Sequence, residues 1–204
     1  MDTSNLSEEN FNFDFGSKGM LEIKFIGRGG LGAKSAGEIL ALTASEVGFF
    51  VQAFPEYGAE RMGAPVKSFV RISDQPIYVH SYVTNPDIVV LLDKTLTKVL
   101  DVTEGMDENS ILIVNSEACD FKEELKDFRG KIYFVDASGI SLKLLNHNFP
   151  NTPLLGAVAK VAKVFPVRII NQYVEKKFKN KLSDELVEKN KQTVLEAYKE
   201  TKLC

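Results

Sequence analysis

The chain has 204 residues, 44% apolar and 26% charged, with a formal net charge of −3, which fits one sizeable globular domain with a single core. The acidic balance argues against nucleic acid as a main partner, and no run approaches the ~18 consecutive apolar residues of a transmembrane helix. Two cysteines (Cys119, Cys204) and two histidines (His80, His147) at no recognisable spacing fall short of the four ligands of an iron–sulfur cluster or a structural zinc site, so no metal site is expected.

Residues 1–19 form an acidic leader, with Asp2, Glu8, Glu9 and Asp14 against Lys18. It lacks the basic start and apolar core of a signal peptide, and the expected location is the cytoplasm. Phe11, Phe13 and Phe15 alternate along it, and two readings stand side by side: a disordered arm, or an arm that docks its rings on a partner. Residues 20–204 read as one domain. Leu21–Gly27 is strand-like, and Gly32–Val47 has helical spacing with small residues that allow close packing on a sheet. Phe49–Phe54 and Val66–Ile72 are further strands, and Gln75–Tyr82 extends a hairpin. Asp87–Leu92 is a continuous apolar run of the kind buried on both faces, followed by Ser110–Val114 and Lys131–Val135. Lys94–Leu100 and Phe121–Phe128 read as short helices between them.

After Asp136 the pattern is helical. Thr152-Pro153 reads as an N-cap and first helical position opening a helix to Val164, broken by Phe165-Pro166. Arg168–Asn180 and Asp184–Lys202 follow, the last capped by Ser183. Cys119 reads as a small half-buried hydrophobe and Cys204 as a frayed thiol. The expected fold is α/β: a Rossmann-like, mostly parallel sheet flanked by helices and covered on both sides, with a helical C-terminal segment.

Gly27-Arg28-Gly29-Gly30-Leu31-Gly32 follows the first strand and opens the first helix. A glycine turn at a helix N-terminus directs unpaired backbone N–H groups and the positive end of the dipole at an anion. The spacing Gly27-x-Gly29-x-x-Gly32 formally satisfies the dinucleotide fingerprint, which also requires an acid about 20 residues on to hold the ribose. That count lands on Gln52, and a Walker-type loop is absent too, because Ala33 precedes Lys34-Ser35. What remains is a phosphate or pyrophosphate cradle to which Arg28 and Lys34 add charge, or a tight turn that only permits close packing. Glu56, Tyr57, Glu60, Arg61 and Gly63 lie in a second loop, Pro55–Pro65, expected at the same sheet edge and long enough to be a contact surface.

The glycine loop, Ala36-Gly37, the Pro55–Pro65 loop, Asn85-Pro86-Asp87, Leu154–Ala157 and Asn190–Tyr198 resemble, in order, the gamma subunits of the 2-oxoacid:ferredoxin oxidoreductases, most nearly the pyruvate type. The resemblance covers residues 20–200. It implies a subunit assembled with alpha, beta and delta partners, which oxidatively decarboxylate a 2-oxoacid, form acyl-coenzyme A and pass electrons to ferredoxin. Thiamine diphosphate, magnesium and iron–sulfur clusters would reside on the other subunits, and no residue of this chain is expected to be catalytic. Coenzyme A, with its pyrophosphate and 3′-phosphate, is the implied ligand of Gly27, Arg28, Gly29, Gly30, Leu31, Gly32 and Lys34. Glu56, Tyr57, Glu60, Arg61 and Gly63 are the candidates for a subunit contact or active-site rim. Reversing the charge of Arg61 is expected to weaken assembly or turnover; normal co-purification and rate in an Arg61→Glu complex would contradict this.

Overall fold

The computed structural model describes residues 13–56, 63–121 and 123–204. Its centre is strand β1 (Leu21–Arg28), buried from Leu21 to Gly27. The remaining strands are β2 (Phe50–Pro55), β3 (Pro65–Ser73), β4 (Ile88–Leu91), β5 (Ile111–Asn115), β6 (Lys131–Val135) and β7 (Lys202–Leu203). They form one sheet in the order β2-β3-β1-β4-β5-β6-β7. β1, β4, β5 and β6 are mutually parallel, while β3 pairs antiparallel with both β1 and β2, and β7 antiparallel with β6. Thus β2 runs in the same sense as the parallel group, and its carboxyl end reaches the same edge. The apolar run of β4, buried at all four positions, is what a strand with neighbours on both sides and cover on both faces requires.

Five helices follow: α1 (Ala33–Glu46), α2 (Ala137–Leu145), α3 (Asn151–Ala162), α4 (Val167–Phe178) and α5 (Asp184–Glu200). All five contribute to a single core with Ile23, Phe25, Val70, Ile72, Val90 and Ile113. These side chains share one face of the sheet, because alternate residues of a strand point to opposite sides. The other face carries Ile26, Val89, Leu91, Leu112 and Val114, packed under Leu96, Val102, Phe121 and Leu125. Cover on that side comes from a 3₁₀ turn, Lys94–Lys98, and from loops. The sheet is covered on both sides as expected, with the described helices on one face and this turn and loops on the other. None of the described helices is long and apolar enough to cross a membrane.

Several local expectations change for identifiable reasons. Gln75–Tyr82 is irregular rather than a hairpin strand. Its carbonyls at Ile77 and Val79 accept from the side chains of Gln52 and Arg71, in place of a backbone ladder. In the Phe121–Phe128 stretch the described residues form turns, not a helix. Helix α3 starts at Asn151 with Pro150 as its N-cap residue, so Thr152 is no cap and Pro153 falls where the missing N–H is still unneeded. The Ser183 cap is present, its Oγ accepting from the Leu186 N–H at 3.3 Å. Cys119 and Cys204 are not separate thiols; they form a disulfide with Cα atoms 5.7 Å apart, beside the pairing of β7 with β6.

Of the leader, Phe11 lies outside the described residues. Phe15 stacks edge-to-face on Phe13 and on Phe49, at 4.9 and 5.6 Å between centroids, so this part of the leader docks on its own domain. Lys18 reaches Glu22 and Asp87 at 2.8 and 3.0 Å. Glu22 also receives the Nε–H of Arg71 at 2.7 Å, and Arg71 is only 1% exposed. A charge this deeply buried needs such a partner, and removing one member leaves the other uncompensated.

The α3–α5 crossing is set by Gly156. A Cβ there would collide with the backbone carbonyl of Val194, and a helix backbone on that side has little room to yield. Gly156→Ala is therefore expected to destabilise the fold by about 2 kcal/mol or more, lowering the melting temperature by about 4–8 °C. Thermal unfolding followed by circular dichroism checks this; an unchanged or raised midpoint would contradict the packing.

Candidate functional site

After β1 the chain leaves toward β2, and after β4 it leaves toward β5. The carboxyl ends of adjacent β1 and β4 therefore form a topological switch point, where open α/β sheets place their ligand crevice. A cleft of about 560 Å³ lies there, lined from the ends of β1, β4, β5 and β6 by Arg28, Asp93, Asn115, Ser138 and their neighbours.

The glycine loop forms one wall. Gly30 and Gly32 have φ of +99° and +83°, a region that residues with a Cβ rarely enter. At Gly32 a Cβ would also press on the side chain of Asn151. Gly32 is the N-cap of α1, no side chain caps that terminus, and no acid sits in its first turn. The first N–H groups of α1 thus have the unpaired, dipole-assisted character of an anion-binding end. Two N–H groups of the expected binding loop are otherwise engaged. The Gly29 N–H donates to the Ala64 carbonyl at 2.9 Å, and the Leu31 N–H to the Arg28 carbonyl at 3.0 Å. Lys34 is exposed on the first turn of α1, and Gly27 is buried against Leu92, which a Cβ would crowd.

Arg28, expected to supply charge, is already held by three hydrogen bonds to two segments, the Asp93–Thr95 turn and Gly63. Its Nε donates to Asp93 Oδ2 at 2.6 Å, one terminal nitrogen to the Gly63 carbonyl at 3.1 Å, and the other to Thr95 Oγ1 at 2.9 Å. Burial alone would raise the Asp93 carboxyl, but hydrogen bonds from Thr95 and the Arg28 guanidinium hold it below the usual carboxylate range. Across the cleft, Lys94 donates to Asp120 at 2.6 Å and to Ser116 Oγ at 3.2 Å, and that bond holds the exposed Asp120 carboxyl down. Asn115 is a brace: its amide donates to the Leu92 carbonyl and Ser138 Oγ, and its oxygen accepts the Ser138 N–H. Asp136 caps α2 through the Gly139 N–H at 2.7 Å. Among the described lining residues, Arg28 and Lys94 face Asp93, Glu117 and Asp136, so the cleft alone is no positive funnel.

The second loop meets the first as expected at its described ends. Gly63 and Ala64 bond the glycine loop through Gly63 N–H to Gly29 O and Gly29 N–H to Ala64 O. Glu56 pairs with Lys67 at 3.5 Å, away from the cleft lining. Tyr57, Glu60 and Arg61 lie outside the described residues. The dinucleotide fingerprint also fails for a reason of topology. The neighbour of β1 on that side is antiparallel β3, and Gln52 sits one strand further out, bonded to Arg71 and Ile77. Asp93, Thr95, Asn115, Ser116 and Ser138 were not singled out by the sequence. The available signal was position: Asp93, Asn115 and Asp136 lie at or just beyond the end of a buried apolar strand, the place where α/β folds carry ligand-facing groups. Among the described residues no three His, Cys, Asp or Glu side chains gather as a metal would require.

Comparison with known proteins gives a consistent result. Residues 22–200 match the profile of the family pyruvate ferredoxin/flavodoxin oxidoreductase. Pyruvate synthase subunit PorC of Thermotoga maritima is 44% identical over 187 residues, 91% of this chain and 97% of the relative. A crystal structure of the Thermotoga maritima pyruvate oxidoreductase subunit PORC superposes with a TM-score of 0.79 at 42% identity, covering 90% of this chain and 98% of that one. The pyruvate/ketoisovalerate oxidoreductases common subunit gamma of Thermococcus kodakarensis is 43% identical over 184 residues, 89% of this chain and 97% of the relative. In fold alone, the chain also matches 30% of a longer chain at a TM-score of 0.70 and 21% identity, covering 90% of its own length. That longer chain is the 2-oxoglutarate:ferredoxin oxidoreductase of Magnetococcus marinus, solved with 2-oxoglutarate, coenzyme A and succinyl-CoA bound.

The depressed Asp93 carboxyl makes a pH statement. A group whose folded pKa lies below its unfolded value of about 3.9 adds stability above that value and loses it as pH falls through the folded pKa. Asp93→Asn is expected to be less stable than the parent at pH 7, with the difference shrinking toward pH 3. Chemical denaturation at pH 7, 5, 4 and 3 checks this; a pH-independent difference would contradict the ion pair.

Proposed function

The chain belongs to the pyruvate ferredoxin/flavodoxin oxidoreductase family, and we propose that within the assembled enzyme its β1–β4 cleft binds coenzyme A and helps enclose the active site. It is a gamma-type subunit of a pyruvate or other 2-oxoacid oxidoreductase. The observation that carries the coenzyme A reading is the uncapped N-terminus of α1, which directly follows Arg28, Gly29 and Leu31 on the wall of a cleft of about 560 Å³ at the switch point. Pyrophosphate suits such a terminus because its oxygens accept several N–H bonds at once. The lack of a ribose-binding acid is no defect for a ligand whose ribose carries a 3′-phosphate. A longer chain of the same fold, solved with coenzyme A bound, supports the choice.

In this reading the reaction converts pyruvate and coenzyme A to acetyl-coenzyme A and carbon dioxide, with two electrons passing singly to ferredoxin. Thiamine diphosphate with magnesium, and the iron–sulfur clusters, belong to the alpha, beta and delta partners. This chain's two cysteines fall short of the four thiolates a cluster takes. Its own residues bind and orient: the α1 terminus and Gly30 and Gly32 amides take phosphate oxygens, and Arg28 and Lys34 supply charge. Because the described lining is not net positive, the remaining charge comes from a partner. A second reading of the substrate follows from the 43%-identical relative, a subunit common to pyruvate and ketoisovalerate oxidoreductases: the 2-oxoacid is chosen on other chains, and this one serves any of them.

Arg28→Ala in the assembled complex is expected to raise the KM for coenzyme A at least tenfold, the loss of one charge-assisted hydrogen bond or more, with little change in the KM for pyruvate. Steady-state kinetics with a viologen acceptor check this, and an unchanged KM for coenzyme A would overturn the reading.

A further inference from the structure

Arg28 carries the charge of the proposed phosphate site, yet its own conformation is decided elsewhere, and that raises the question of what aims it. The Asp93 carboxylate is fixed before Arg28 reaches it. Its Oδ1 accepts the Thr95 N–H at 2.9 Å, which caps the turn Lys94–Lys98, while Oδ2 takes the Arg28 Nε–H at 2.6 Å. Capping accounts for Oδ1 alone. The Oδ2 contact instead joins the end of β4 to the end of β1, across the switch point.

The guanidinium has five N–H donors in a rigid planar fork. Three are bound, to Asp93, to the Gly63 carbonyl and to Thr95 Oγ1. Three bonds to two segments, the Asp93–Thr95 turn and Gly63, fix the plane of the fork. One N–H on each terminal nitrogen is left over, and the side chain, still 36% exposed, lines the cleft. A donor pair held this way meets an anion without first losing rotamer freedom. The same grip holds Gly63, whose N–H bonds the glycine loop at Gly29, so the second loop returns to the sheet as part of the same unit.

We propose that Asp93 is a positioning residue for the phosphate side of the cleft: it orients the Arg28 guanidinium toward the ligand and, through Arg28, fixes the Gly63 end of the second loop. The proposal rests on the coenzyme A reading above. It excludes the opposite role, in which Asp93 competes with ligand phosphate for Arg28.

The test uses the assembled oxidoreductase carrying Asp93→Asn, Arg28→Ala, or both. Asp93→Asn is expected to raise the KM for coenzyme A roughly tenfold, as for one charge-assisted hydrogen bond lost, and to leave the KM for pyruvate within about twofold, a split that a general loss of structure would not produce. The double variant is expected to match Arg28→Ala, because Asp93 acts through Arg28. If the Asn variant fails to assemble, Asp93→Glu, which keeps the charge but displaces it by a methylene, should shift the coenzyme A KM in the same direction. An unchanged or lowered KM for coenzyme A in the Asp93 variant, or a double variant much worse than Arg28→Ala, would overturn the proposal while Arg28→Ala still raises that KM. If Arg28→Ala leaves it unchanged as well, the coenzyme A reading falls and this proposal falls with it.

Discussion

The carboxyl edge of this sheet depends on β1 having a parallel neighbour on one side and an antiparallel one on the other. The parallel neighbour, β4, brings Asp93 beside Arg28 at the same end. The antiparallel neighbour, β3, begins where β1 ends, so Pro65 pairs with Arg28 and the chain arriving at β3 must pass over the glycine loop. The backbone bonds between Gly29 and the Gly63–Ala64 stretch are a consequence of that register. So is the failure of the dinucleotide fingerprint, since the strand that would carry a ribose-binding acid is displaced from its place beside β1.

Charge gives the second constraint. Arg28 is partly balanced by Asp93, and Lys94 by Asp120, so among the described residues the attraction for an anion rests on the remaining N–H groups of Arg28, the exposed Lys34 and the backbone dipole of α1. A helix terminus and one solvated lysine give modest attraction in water. Closing the cleft with another polypeptide would exclude water and strengthen every such contact. In the proposed role this edge is a half-site, in keeping with relatives that are subunits of pyruvate synthase and of pyruvate/ketoisovalerate oxidoreductases.

How much of this was legible beforehand depended on the kind of signal. β1, α1, β4 and β5 follow from local pattern: a strand running into a glycine turn, small residues at helical spacing, and unbroken apolar runs. The glycine turn that opens α1 was legible for the same reason. Strand order was not, because nothing in the spacing of Phe50–Pro55 or Pro65–Ser73 says which of the two lies beside β1. Nor was the one-sided placement of the helices, since both sheet faces are apolar in β4 and β5 whether a helix or a loop covers them. Helix α2 is short and carries Ser138, Gly139 and Ser141, so its period is faint. Asp93 is a single acid after Leu91-Leu92, and its role appears only when Arg28, 65 positions away, is brought beside it. The Cys119–Cys204 pair, 85 residues apart, is legible only in three dimensions.

Hydrogen–deuterium exchange on the assembled complex, with and without saturating coenzyme A, tests whether coenzyme A is held at the β1–β4 edge of this chain. Binding there slows exchange at the amides of Gly30 through Ala36 and in the Asp93–Thr95 turn. Protection confined to the other subunits, with these amides unchanged, would contradict it.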